Sequence, residues 1–110
     1  MLSASIATGE AGPLITLSGP VDITNLAELS EVLADPRVNG TVHLTIDASR
    51  LSSADSMAAR ALGLTAKILK ERGGGMVLLH PQQPLVRVLE LTGADRMMTI
   101  RPENGTAAEP

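Results

Sequence analysis

A chain of 110 residues fits one compact domain able to bury a core without disulfides or metal, and its 44% apolar and 19% charged residues are the balance of a soluble globular protein. The absence of cysteine excludes disulfide scaffolds, thiol nucleophiles and thiolate metal sites. The absence of Phe, Tyr and Trp removes base-stacking platforms, and a formal net charge of −3 removes attraction to phosphate backbones, so nucleic acid is a poor partner.

The first residues, MLSASIATGE, lack the basic start and apolar stretch of a secretory signal. No apolar run approaches the roughly 20 residues needed to span a membrane. The expectation is a cytoplasmic protein with no membrane contact. Its core must be built from Leu, Val, Ile, Met and Ala.

Leu2 to Ala7 alternates apolar and small polar residues, meets the turn-prone stretch Thr8 to Pro13, and is followed by a second alternating run from Leu14 to Leu17. This predicts an opening β-hairpin. Asn25 with Glu28 three residues on has the spacing of a capping box, and Leu26, Leu29, Val32 and Leu33 follow at helical spacing. The first helix should stop at Asp35, because Pro36 disfavours helical geometry in the residue before it.

Val42 to Asp47 alternates strictly, which predicts a strand with aliphatic side chains on one face and polar ones on the other. One sheet face should therefore be thinly covered. A Ser/Ala-rich turn is expected from Ser49 to Ala54. Ser56 to Arg72 then forms the longest helix, with Met57, Ala58, Ala61, Leu62, Leu64, Ile68 and Leu69 as a broad apolar stripe.

Met76 to Leu79, bounded by glycines and Pro81, suits a buried strand. Pro84 opens a further helix with Leu85, Val88 and Leu89 facing the core and Gly93 as its stop, and a short strand is expected around Met97 to Ile100. Residues 1–101 should form one domain, and 102–110 read as a patternless C-terminal tail. Strands alternating with helices imply a mostly parallel sheet of four to five strands with three to four helices and one antiparallel edge, an α/β fold.

Several segments in order resemble the STAS domain family, named for sulfate transporters and anti-sigma factor antagonists. Leu17-Ser18-Gly19-Pro20-Val21-Asp22 is similar to the family's strand end leading into its first helix. Leu44-Thr45-Ile46-Asp47, then Leu51 and Asp55-Ser56, resembles its strand, loop and Asp-Ser pair opening the second major helix. Gly73 to Leu79 and Val86 to Arg96 resemble the strand and third-helix signatures.

In family members that act as anti-sigma factor antagonists, the serine after that Asp is phosphorylated by an anti-sigma factor kinase, and the unphosphorylated form captures the kinase. By position that serine is Ser56, and the resemblance implies a partner surface of Asp22, Thr24, Asp55, Ser56, Met57 and Arg60. It implies an anti-sigma factor serine kinase as partner, a serine phosphatase to reset the switch, no cofactor, and no catalysis by this chain. The family pattern usually continues Ser/Thr-Gly-aliphatic-Gly, whereas this chain has Met57, Ala58, Ala59 and Arg60.

Three other readings stand beside that one. Asp55 or Ser56 can serve as a plain helix N-cap, accepting a backbone N–H and doing nothing further. A diverged STAS scaffold or competitor that is never phosphorylated would also fit, as would a small-molecule-binding α/β domain with a crevice at the strand ends. A serine hydrolase is disfavoured because Ser56 has no nucleophile elbow, and His43 and His80 read as a mid-strand surface histidine and a strand-end histidine. Two histidines without a ligand pattern give no metal site. A phospho-receiver domain would need an acidic cluster that Asp47 and Asp55 do not supply.

Overall fold

The first two strands fold back on one another as the alternation predicts. In the computed structural model, which describes residues 2–9 and 12–101, β1 (Ser3–Gly9) pairs antiparallel with β2 (Gly12–Val21), placing Ile6 opposite Ile15. There follow α1 (Leu26–Leu33), α2 (Pro36–Asn39), β3 (His43–Ala54), α3 (Ser56–Glu71), β4 (Gly75–Leu79), α4 (Gln83–Thr92), a 3-10 turn (Ala94–Met97) and β5 (Thr99–Arg101). The sheet has five strands in the order β1-β2-β3-β4-β5, and every pair after the first is parallel. The expected tail, 102–110, lies outside the described residues.

Strands laid down in sequence order with helical crossovers of one hand put their helices on one face of the sheet. The burial pattern agrees. Ile15 and Leu17 of β2, Leu44, Ile46 and Ala48 of β3, and Met76 and Leu78 of β4 are buried against Leu29, Leu62, Ala66, Leu69, Leu85 and Leu89 of the helices. Their alternate neighbours Leu14, Thr16, Thr45, Asp47, Val77 and Leu79 are only partly buried, so the opposite face is thinly covered, as the alternation implies.

The buried face of α3 is narrower and made of smaller residues than the apolar stripe suggests. Ala58, Ala59, Leu62, Gly63, Ala66 and Leu69 are buried, whereas Met57, Leu64 and Ile68 are exposed. Small side chains let the helix lie close to its neighbours. A Cβ built on Gly63 would stand 2.8 Å from the Ala94 Cβ, so the glycine sets the approach of α3 to the 3-10 turn. At the end of α4, Gly93 adopts a left-handed conformation (φ 79°) and stops the helix where expected.

One expected turn is absent. Ser49 to Ala54 is not a turn but the second half of β3, pairing with Ser18 to Val21 of β2. This half holds one extra residue between the partners of Thr16 and Ser18 and another between those of Gly19 and Pro20. Such bulges disturb alternation while preserving the ladder, so a patterned reading sees a turn. Pro36 does end the first helix, but it also opens α2 at its favoured first position, with the Asp35 side chain accepting from the Arg37 backbone N–H.

Candidate functional site

The parallel strands β2 and β3 end side by side, Val21 opposite Ala54, and each leads into a helix. The Asp55 backbone N–H donates to the Val21 carbonyl at 3.2 Å and locks the two exits together. Loops at this end of an α/β sheet gather side chains from several strands, which is why such ends serve as binding surfaces.

At the β3 exit, Asp55 is the N-cap of α3. Its backbone is extended and its Oδ1 accepts the Ala58 N–H at 2.9 Å. The side-chain capping is therefore done by Asp55. Ser56 is the first helical residue, exposed, and its hydroxyl makes no hydrogen bond with any described residue. A hydroxyl in this position meets solvent at the positive end of a 16-residue helix.

The β2 exit is a tight polar loop. Asp22 Oδ1 accepts from both the hydroxyl and the backbone N–H of Thr24, the latter at 2.9 Å. These two bonds, the hydroxyl first, hold the Asp22 carboxyl below the usual carboxylate range. Asn25 stands at the N-cap position of α1, but its side chain makes no capping bond. Its Oδ1 accepts the Asp22 N–H at 2.9 Å and its amide donates to the Pro20 carbonyl at 3.0 Å. The loop thus presents Asp22, Ile23 and Thr24 outward, with Ile23 74% exposed.

Along α3, residues separated by one turn share a face. Ser56, Arg60 and Lys67 follow one line at helical spacing, all exposed, and Met57 (47% exposed), Leu64 (61%) and Ile68 (41%) form an adjacent apolar row. Arg60, Leu64 and Lys67 border a groove of about 340 Å³ closed on its far side by Thr92, Gly93, Ala94 and Met97. Of the expected surface residues, the sheet brings Asp22, Thr24, Asp55 and Ser56 to one end, and α3 carries Met57 and Arg60 away from it. Sequence reading did not single out Ile23 or Lys67, and it placed Leu64 in the apolar stripe of the helix, where the structure leaves it exposed.

The β4 exit completes this end. The Gln82 amide donates to the Ser49 carbonyl at 2.8 Å, tying the start of α4 to β3. Asp47 Oδ1 accepts the Ser49 N–H at 3.0 Å, and that bond, with attraction from His80 and Arg50, holds the Asp47 carboxyl below its usual value. His80 follows β4 with φ 54°, its N–H donating to the Arg101 carbonyl at 2.7 Å. His43 begins β3 at the other end of the sheet, so the two histidines are not neighbours. Among the described residues no three potential metal-ligating side chains cluster, and no helix is long and apolar enough to cross a membrane.

A family profile described as the STAS domain matches residues 6–107. The chain belongs to the STAS domain family. An anti-sigma factor antagonist from Mycobacterium paratuberculosis superimposes with a TM-score of 0.79 at 18% identity, covering 91% of this chain and 85% of that one. The anti-sigma factor antagonist SpoIIAA in its unphosphorylated form gives 0.71 at 16% identity, covering 96% and 93%. The Bacillus cell fate determinant SpoIIAA in its phosphorylated form gives 0.58 at 19% identity, covering 96% of each. A search of curated proteins returns no significant match. At these identities the likeness is one of STAS fold, with the same α/β arrangement of a mostly parallel five-stranded sheet.

Proposed function

We propose that this STAS domain is an anti-sigma factor antagonist that captures an anti-sigma factor of the serine-kinase type and is released from it by phosphorylation at Ser56. The observation that carries the reading is the division of labour at the start of α3. Asp55 takes the capping bond at 2.9 Å, which leaves the Ser56 hydroxyl exposed and without a described partner. A residue needed only as a cap would be spent on the helix.

The docking surface centres on Ser56 and takes in Asp22, Thr24, Asp55, Met57 and Arg60, with Ile23 and Leu64 as apolar anchors. Exposed Ile23, Met57 and Leu64 beside polar groups match the apolar-core, polar-rim composition of protein interfaces. A phosphoryl group on Ser56 adds roughly −1.5 to −2 charges. The amino end of α3 tolerates that charge, while a partner surface packed against Ser56 would have to desolvate it beside the Asp55 carboxylate. The switch therefore acts on binding and leaves the fold intact. In this role the chain is the kinase's substrate, and a serine phosphatase resets it.

The existence of both phosphorylated and unphosphorylated solved forms of SpoIIAA, a relative in fold, supports the reading. Ala58 and Ala59, which replace the family's usual residues after the serine, are buried, and the exposed departures are Met57 and Arg60. They alter the chemistry offered to the partner and not the helix start. The test is a Ser56→Asp variant followed by circular dichroism and by titration against the anti-sigma factor. An unchanged spectrum with weakened binding is expected; a collapsed spectrum or unchanged affinity overturns the proposal.

A further inference from the structure

We propose that the outer edge of β1 is a second docking surface, one that accepts an extended, basic segment of a protein partner as an added sixth strand. β1 is an edge strand, and its residues are exposed except for Ile6, which is half-buried. Among the described residues its backbone groups pair only with β2. A seven-residue edge of Ser, Ala, Ile, Thr and Gly carries no Lys, Pro or bulge of the kind that blocks strand addition.

What distinguishes this edge is the groove beside it. Between β1 and the first helices lies a cavity of about 480 Å³, lined by the apolar Leu2, Ile6 and Val32 and by the charged Glu28, Glu31, Asp35 and Arg37. Asp35 is already paired with Arg37 at 3.0 Å. Glu28 and Glu31 are exposed and have no ion-pair partner among the described residues. The groove therefore offers apolar side chains and two uncompensated negative charges along one side of an open ladder.

That combination selects its occupant. Side chains of an added strand point alternately to the helix side and to the open side of the sheet. On the helix side, a Lys or Arg can lay its aliphatic stem over Ile6 and Val32 and set its charged head against Glu28 or Glu31. On the open side it continues the row of small side chains Ser3, Ser5 and Ala7 and accepts Thr or Ser. A second copy of this chain is disfavoured by the same charges, since edge-to-edge pairing about a two-fold axis would bring the two sets of acidic residues together. β2 separates this edge from the Ser56 surface, so the inference does not rest on the proposed switch.

The probe is a blocked peptide of about eight residues alternating Lys and Thr, titrated against the whole chain by calorimetry and by amide hydrogen exchange. Expected is saturable binding that slows exchange in β1, weakens by roughly tenfold or more in the Glu28→Lys/Glu31→Lys double variant, and persists in Glu71→Lys/Glu90→Lys, which has the same net charge. The same peptide with Pro at alternate positions cannot join a ladder and should not protect β1. Equal loss in both double variants, equal binding of the Pro peptide, protection confined to α3, or dimerisation through β1 would each overturn the proposal.

Discussion

Removing the two side chains at the start of α3 one at a time should separate their roles. Asp55 Oδ1 accepts the Ala58 N–H at 2.9 Å, and an N-cap of this type contributes about 1 kcal/mol, within a range of roughly 0.5–2. Asp55→Ala therefore lowers stability by about that amount, a fall in Tm of roughly 4–8 °C for a domain of this size. Ser56→Ala deletes an exposed hydroxyl with no described partner, and its effect should stay within about 0.5 kcal/mol. Without Tyr or Trp the chain gives little intrinsic fluorescence, so urea unfolding followed by far-ultraviolet circular dichroism is the assay. A Ser56→Ala loss equal to or larger than that of Asp55→Ala would refute the assignment of cap and switch to separate residues.

Gly63→Ala should destabilise the chain by about 1–3 kcal/mol despite the better helix propensity of Ala, because the new methyl meets the Ala94 Cβ at 2.8 Å, and adding Ala94→Gly should recover part of the loss in a thermal melt. Full stability of Gly63→Ala would contradict that packing. Hydrogen bonds hold the Asp22, Asp35 and Asp47 carboxyls below their usual range, so their contribution is complete above the unfolded value of about 3.9 and is lost as pH falls through the folded values. The urea midpoint should fall on acidification below about pH 4, less steeply in Asp47→Asn, whereas a midpoint that rises on acidification would contradict these bonds.

The strand and helix order was legible because each element carries its own period: alternation in Leu14 to Leu17 and Val42 to Asp47, and helical spacing in Leu85, Val88 and Leu89. What was not legible depends on contacts distant in sequence. Ser49 to Ala54 are held as strand by β2, whose glycine at position 19 takes φ 95° beside the second bulge. Asn25 has capping-box spacing with Glu28, yet its side chain is spent on Pro20 and Asp22, because the loop's own backbone groups needed partners first. The apolar stripe of α3 holds more residues than one face can bury, and the pattern does not say that Met57, Leu64 and Ile68 are the ones left outside. At the site, the Asp-Ser pair was visible in sequence; which of the two caps the helix was decided only by where the Oδ1 atom of Asp55 sits.

The regulatory account stands or falls on whether that freed hydroxyl is ever modified and whether modification matters. Incubation of the chain with its cognate anti-sigma factor and ATP, read by site-resolved mass spectrometry and by co-elution before and after, measures both at once. A single phosphoryl group on Ser56, with the complex dissolving as it accumulates, is the predicted result. A complex that persists after stoichiometric modification of Ser56, or a partner that binds and never modifies it, would contradict the account.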